Sequence, residues 1–144
     1  MIVSIGSDHK GYELKSMLKR HLLSKGIKVI DNGTDSEVSV DYPQYAKSVA
    51  KSVVSKESDF GIVICGTGIG VSIACNKVKG ARCAKVSSSS EAKMSRLHND
   101  ANVVALSSAT KLETAISIIE LFINTPFSNE ERHKRRVEMI DNDY

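Results

Sequence analysis

Five short apolar segments alternate with helical segments along this 144-residue chain, and that alternation limits the folds open to it. The five segments are rich in β-branched residues and predict strands over 2–6, 27–30, 60–65, 81–86 and 102–106. Strands that alternate with helices form βαβ units, whose right-handed crossovers give a parallel sheet. We therefore predict a five-stranded parallel sheet with helices on both faces, a Rossmann-like α/β/α sandwich, followed by a C-terminal helix.

Apolar periodicity predicts the helices between these strands. They cover 12–25, 42–55, a segment that Gly80 ends, 91–97 and 110–124, and a last, charged helix covers about 129–141. We expect one domain over 1–144. Since the last helix has only three large apolar residues, we expect it to dock on a second subunit.

Composition argues against several classes of protein. The net charge of +3 is small and Trp is absent, so we expect no nucleic-acid partner. No apolar run approaches the length of a membrane span, and the N-terminal strand does not resemble a signal peptide, so we expect a cytoplasmic protein without a membrane partner. Cys65, Cys75 and Cys83 fit neither a disulfide framework nor zinc spacing, so we expect free thiols and no metal.

The segment 60–77 combines a strand, a tight loop and a helix, and the loop reads Cys65-Gly66-Thr67-Gly68-Ile69-Gly70. A glycine-rich loop that opens a helix presents N–H groups and the positive end of the helix dipole, which suits an anion. The dinucleotide pattern fails because Val71 stands where a glycine is needed, and the P-loop pattern fails as well.

The order of the elements predicts which groups meet. In a parallel α/β sheet, ligands bind beyond the carboxyl ends of the strands. Asp8 and His9 follow the first strand and Cys65 ends the third, so these groups should face one crevice. A thiolate is favoured at a helix N-terminus and could remove a proton from carbon. His98 lies in a loop before the fifth strand, at the opposite edge, so a site that also uses His98 must lie between two subunits.

Several motifs in order resemble the family of ribose-5-phosphate isomerase B and the galactose-6-phosphate isomerase subunits. The motifs cover residues 7–11 together with Lys15, residues 41–43, residues 65–70 and 74–77, residues 95–102, and Arg132-His133 together with Arg136. Arg136 lies one helical turn after Arg132. The resemblance covers essentially the whole chain. It implies four catalytic residues, namely Cys65, His98, Thr67 and Asp8. It also implies substrate contacts by His9, Tyr42, Gly66, Gly68, Ile69, Gly70, Asn99, Arg132, His133 and Arg136.

The resemblance further implies a role for each group. Cys65 shuttles a proton between C1 and C2 of ribose 5-phosphate, the glycine loop holds the enediolate, and His98 opens the sugar ring. His9, Arg132, His133 and Arg136 take the phosphate. The family implies no metal or cofactor, and a homodimer or a tetramer with shared active sites. The product that the resemblance implies is ribulose 5-phosphate, in the non-oxidative branch of the pentose phosphate pathway.

One segment departs from the family pattern. After the fifth strand the family usually has Gly-x-Arg, whereas this chain has Ser107-Ser108-Ala109-Thr110-Lys111, and whether Lys111 replaces the arginine is left open. A galactose- or allose-6-phosphate isomerase of the same family is therefore the alternative function. A non-catalytic phosphate-binding module ranks below it, and a nucleic-acid binder with a basic tail ranks last.

Overall fold

The computed structural model describes residues 1–142, which form five strands and six helices. The strands are β1 (Ile2–Ser7), β2 (Lys28–Asp31), β3 (Phe60–Cys65), β4 (Cys83–Lys85) and β5 (Val103–Ser107). The helices are α1 (Tyr12–Ser24), α2 (Tyr42–Val54), α3 (Ile69–Asn76), α4 (Ser89–Asn99), α5 (Leu112–Asn124) and α6 (Glu131–Asp141). No helix in this range is long and apolar enough to cross a membrane.

All strand pairs are parallel, in the order β2-β1-β3-β5-β4, which confirms the predicted sheet. Alternation along β3 separates two apolar cores. Ile62 and Ile64 belong to the core beneath α1, α4 and α5, whereas Val63 and Cys65 belong to the core beneath α2 and α3. The sheet therefore has helices on both faces, and Cys65 points toward the face that α3 covers.

The structure corrects two predicted boundaries that affect the site. Helix α4 begins at Ser89, because the Ser88 side chain caps it by accepting the N–H of Glu91, and it runs to Asn99. His98 and Asn99, predicted to lie in a loop, therefore form the last turn of a helix. Strand β4 is only three residues long, and the Asn76 side chain bonds both the N–H and the carbonyl of its first residue, as a neighbouring strand would.

A buried lysine fixes the loop that follows β2. The side chain of Lys15 is 2% exposed, and its Nζ donates to Oδ1 of Asp31 at 2.6 Å and to the carbonyl of Thr34. Partial burial alone would raise the pKa of Asp31, but hydrogen bonds from Lys15, Gly33 and Lys19 lower it below its ordinary value. The pair stabilises the start of the loop that leads to the candidate site.

Candidate active site

The candidate site lies between β1 and β3, where the strand order of the sheet reverses. The neighbours of β1 are β2 on one side and β3 on the other, so the chain leaves the carboxyl ends of β1 and β3 toward opposite sides and opens a crevice there. An open cavity of about 850 Å³ occupies this position. It brings together eight residues named from the sequence: Asp8, His9, Tyr42, Cys65, Gly66, Thr67, Ile69 and Gly70.

Cys65 is the last residue of β3 and is only 5% exposed. Its Sγ accepts a hydrogen bond from the N–H of Gly68 at 3.2 Å, just before α3 begins. The bond places the sulfur against a backbone donor at the positive end of the α3 dipole. The sulfur is thus held at the wall of the cavity in surroundings that suit a base or a nucleophile.

The glycines of the loop meet steric demands. Gly68 has φ of +78°, and a Cβ there would lie 2.9 Å from the carbonyl carbon of Leu106 in β5. A Cβ at Gly70 would lie 2.5 Å from the Tyr42 ring, which covers this residue. Tyr42 is therefore placed at the cavity wall by close packing on the loop backbone.

The loop leaves donors free for a ligand. Thr67 Oγ1 accepts the N–H of Ile69 at 3.1 Å, so the threonine hydroxyl proton is still available to a ligand. The next N–H groups of the first turn of α3, those of Gly70 and Val71, have no carbonyl partner within the helix. A threonine hydroxyl and a helix N-terminus together could bind the oxygen of an anion.

Asp8 and His9 are fixed by hydrogen bonds from the backbone. Oδ1 of Asp8 accepts the N–H groups of Lys10 and Gly11 at 3.0 and 3.1 Å, and the residue is 6% exposed. Nδ1 of His9 accepts the N–H of Val40 at 3.2 Å, so in the neutral ring the proton is on Nε2. The carboxylate keeps its second oxygen for a ligand, and the imidazole can donate to one.

Gly68 lies in the loop beside this cavity, and the remaining predicted residues, namely His98, Asn99, Arg132, His133 and Arg136, lie outside it, beyond the amino ends of the strands. His98 ends α4 and stacks on His133 of α6, with ring centroids 4.4 Å apart and an angle of 14° between the planes. Asn99 lines a separate cavity of about 440 Å³, next to Arg82 and Asp141. Within one chain, the structure therefore keeps the thiol and this histidine pair apart. This separation is what the order of the elements predicts.

Two arginines from the sequence motifs also lie on α6. Arg132 and Arg136 are exposed, and Nε of Arg132 is 3.1 Å from Oε2 of Glu130. The end of the helix is anchored by Arg82, whose side chain bonds Oδ2 of Asp141 at 2.7 Å and the carbonyl of Asp100. Arg82 was not identified from the sequence, because the two partners are 18 and 59 residues away from it.

Comparison with known proteins identifies the group to which this arrangement belongs. Residues 3–140 match the protein family described as Ribose/Galactose Isomerase. The chain belongs to the ribose/galactose isomerase family. The resemblance noted from the sequence motifs is thereby confirmed, and with it the expectation of an isomerase.

Individual members of the ribose/galactose isomerase family are similar over nearly the whole chain. Ribose-5-phosphate isomerase B of Escherichia coli (strain K12) is 44% identical over 139 residues, which are 96% of this chain and 93% of that protein. Galactose-6-phosphate isomerase subunit LacB of Clostridium acetobutylicum is 38% identical over 148 residues, covering 99% and 86%. The ribose 5-phosphate isomerase from Thermotoga maritima, known from a crystal structure, is 48% identical in sequence. Its structure aligns with a TM-score of 0.94 over 97% of this chain and 97% of that chain.

The cavity also contains a cation from the motif 7–11 to which the sequence analysis assigns no role. Lys10 lines it, and the lysine stem covers Gly66, where a Cβ would lie 3.1 Å from Cδ and 3.8 Å from Nζ. Lys111, for which replacement of the missing arginine was left open, is exposed at the N-cap of α5 and is not among the described residues that line the cavity. Within one chain, Lys10 is therefore the better placed of the two.

The backbone beneath the loop is also supported from β5. The hydroxyl of Ser107 donates to the carbonyl of Gly66 at 2.7 Å, and the N–H of Ser108 donates to the carbonyl of Cys65 at 2.8 Å.

Among residues 1–142, no three histidine, cysteine or acidic side chains come close enough together to form a metal site.

Proposed function

We propose that the protein is an aldose–ketose isomerase that interconverts ribose 5-phosphate and ribulose 5-phosphate through a cis-enediolate. The observation that carries the proposal is the Cys65 thiol, bonded by the N–H of Gly68 at a helix N-terminus and facing a cavity with Asp8 and His9. Family membership supports the class of reaction, and the 44% identity to ribose-5-phosphate isomerase B supports the pentose substrate.

The reaction begins with ring opening, for which we propose His98. Ribose 5-phosphate is mostly a furanose, whose C1 hydroxyl must lose a proton while the ring oxygen gains one. An imidazole can move a proton in either direction near neutral pH. His98 ends a helix, half-buried, where it can contact a bound sugar at one face.

The isomerisation step is a proton transfer between two carbons. The Cys65 thiolate removes the C2 proton of the open aldehyde, the C2–H electrons form the C1–C2 double bond, and the carbonyl electrons move to O1. A proton passes from O2 to O1, and the thiol returns its proton to C1, which leaves a ketone at C2. The free N–H groups at the start of α3 stabilise the enediolate oxygen, with Thr67 and Asp8 bonded to the sugar hydroxyls.

We assign the phosphate to cationic and polar groups from both edges. His9 can donate from Nε2, and Arg132 and Arg136 share a face of α6. The resemblance assigns His133 to the phosphate as well. The residue is 6% exposed and its ring is stacked on His98, and we give it a different role below.

These assignments require two chains at each site. Cys65 and His98 lie at opposite edges of one sheet, yet they must act on neighbouring atoms of one sugar. We propose a homodimer in which the cavity of one protomer faces His98, Asn99 and α6 of its partner. Exposed apolar side chains at the rim, Ile69 at 54% and Ile73 at 57%, are suited to such an interface.

The test is isomerisation of ribose 5-phosphate before and after alkylation of the thiols, in wild type, Cys65→Ala and Cys83→Ala. We expect Cys65→Ala to abolish turnover while substrate still binds, and alkylation to inactivate the wild type and Cys83→Ala alike. Cys83 is the matched control because it is more exposed than Cys65 yet lies outside the cavity. Full turnover in folded Cys65→Ala would refute the role of the thiol, and tight binding without turnover by the wild type would indicate a binding module.

A hexose-6-phosphate isomerase is the second candidate. It is favoured by the 38% identity to a galactose-6-phosphate isomerase subunit and by the serine-rich segment after β5, where the family usually has an arginine. The ratio of kcat/KM for ribose 5-phosphate to that for galactose and allose 6-phosphates decides between the two. A ratio below one would replace the pentose by a hexose.

A further inference from the structure

The two histidines that end α4 and begin α6 form one stacked unit. His98 and His133 lie nearly parallel, with their centroids 4.4 Å apart. Nearby backbone bonds keep the two elements in register, since the N–H of Ser128 donates to the carbonyl of Leu97 at 3.2 Å. His98 is only half-buried, whereas His133 is 6% exposed. The buried ring of His133 thus supports one face of the more exposed His98 ring.

Stacking and burial, rather than hydrogen bonds, hold the His133 ring. Its Nε2 has no hydrogen-bond partner within residues 1–142, and the nearest carboxylate oxygen, Oε2 of Glu130, is 3.7 Å away, too far for a hydrogen bond. Burial lowers the pKa of His133, and the nearby His98 and Arg132 lower it further. The ring is therefore neutral at neutral pH and presents its face, not a charge, to His98.

We infer that His133 is a positioning residue whose buried ring fixes the plane of His98 for ring opening. The inference rests on the proposed function, because it needs His98 to act on the sugar. A histidine at a helix end has two free side-chain torsions, and its catalytic nitrogen must be held within a fraction of an ångström of the sugar oxygen. The stack removes that freedom while both ring nitrogens of His98 stay available for proton transfer.

The inference is tested by a double-mutant cycle. We expect His133→Leu to lower kcat/KM for ribose 5-phosphate by about tenfold or more in the wild-type background. In the His98→Asn background it should change kcat/KM by less than about twofold, because there is no imidazole left to position. An equal loss in both backgrounds would mean that His133 only anchors α6, and would overturn the inference, as would wild-type activity in His133→Leu.

A second variant covers the case in which His133→Leu fails to fold. His133→Phe keeps an aromatic face and cannot bind a phosphate, so it should retain most of kcat and an unchanged KM. A raised KM with unchanged kcat would instead indicate direct phosphate contact and would overturn the inference. The ring-proton NMR signals of His98 should keep their stacking shift in His133→Phe, and loss of that shift in the folded variant would also refute it.

Failure of the proposed function gives a different result from failure of this inference. If the protein is not this isomerase, the wild type does not convert the sugar phosphate. If His98 has no role in ring opening, His98→Asn alone has wild-type activity. Both results appear before His133 is changed, so the cycle separates the two failures.

Discussion

The clearest prediction concerns the pairing of defective subunits. Cys65→Ala removes the proposed base, and His98→Asn removes the proposed ring-opening group, so each homodimer should be inactive or nearly so. In a mixed dimer, one site receives both defects and the other receives neither. Random mixing of equal amounts gives about half mixed dimers, so the mixture should recover about a quarter of the wild-type activity.

The distance between the two groups in one chain is the basis of this prediction. Val103, at the start of β5, pairs with Gly61 of β3, and Cys65 lies four residues further along. At about 3.3 Å per residue, the thiol is about 13 Å along the sheet from the start of β5. His98 precedes that start by a further helix end and turn. If Cys65 and His98 act on neighbouring atoms of one sugar, as proposed, they cannot be this far apart, and they must come from different chains.

The assay uses two affinity tags, so that mixed dimers can be purified after co-expression and compared with both parents in ribose 5-phosphate isomerisation. A purified mixed dimer should have about half of the wild-type activity, because one of its two sites is intact. The control pairs Cys65→Ala with Asp8→Asn, two changes in the same cavity, which should not complement each other. Mixed dimers no more active than their parents would refute the shared site, and so would a fully active monomer.

Three further changes test the site and its supports. Gly68→Ala should lower activity and destabilise the protein by about 1–3 kcal/mol in urea unfolding, because of its positive φ and a Cβ 2.9 Å from the backbone of β5. Lys10→Met should raise KM about fivefold with unchanged stability, since one exposed charge near an anion is worth about 1 kcal/mol; an unchanged KM would exclude a substrate contact. Lys15→Met should cost about 1–3 kcal/mol at pH 7, and the exposed control Lys19→Met less than about 1 kcal/mol. Because the pKa of Asp31 is lowered, this contribution is present above its ordinary pKa of 3.8 and is lost as the pH falls through the lowered value. A cost of Lys15→Met that does not shrink as the pH is lowered below 3.8 would contradict this reasoning.

The sheet could be predicted from the sequence because its signals are local. β-branched runs predict strands, and apolar periodicity predicts helices, without knowledge of which strands pair. The order β2-β1-β3-β5-β4 depends on contacts between distant segments and was not predicted. The end of α4 was missed for a similar reason. Arg96, only 8% exposed, bonds Asp100 at 2.8 Å and the carbonyl of Thr125 at 3.0 Å, which fixes the turn after the helix from 29 residues away.

The candidate site, like the fold, could be predicted from the sequence only in part. The residues at the carboxyl ends of β1 and β3 could be placed together from strand order alone, because parallel strands end at one edge. The stack of His98 on His133 could not, since nothing in a sequence brings the end of one helix onto a helix 35 residues later. Lys10 lies in the motif 7–11, but its contact with Gly66 was not predicted, because that contact depends on the path of two loops.

The spacing of the loop glycines has a steric explanation that differs from that of the nucleotide-binding motifs. Each glycine admits a different neighbour: Gly66 lies beneath the stem of Lys10, Gly68 adopts positive φ against the backbone of β5, and Gly70 lies beneath the ring of Tyr42. The N–H of Gly68 bonds the sulfur and that of Ile69 bonds Thr67, so at the start of α3 the donors left for a ligand begin at Gly70. A phosphate loop directs its N–H groups to the phosphates. In the proposed reaction, by contrast, the N–H of Gly68 serves the Cys65 base, and those of Gly70 and Val71 serve the enediolate oxygen. That division suits proton transfer at a carbon next to a carbonyl, which is why we place the sugar carbonyl, and not the phosphate, at this helix.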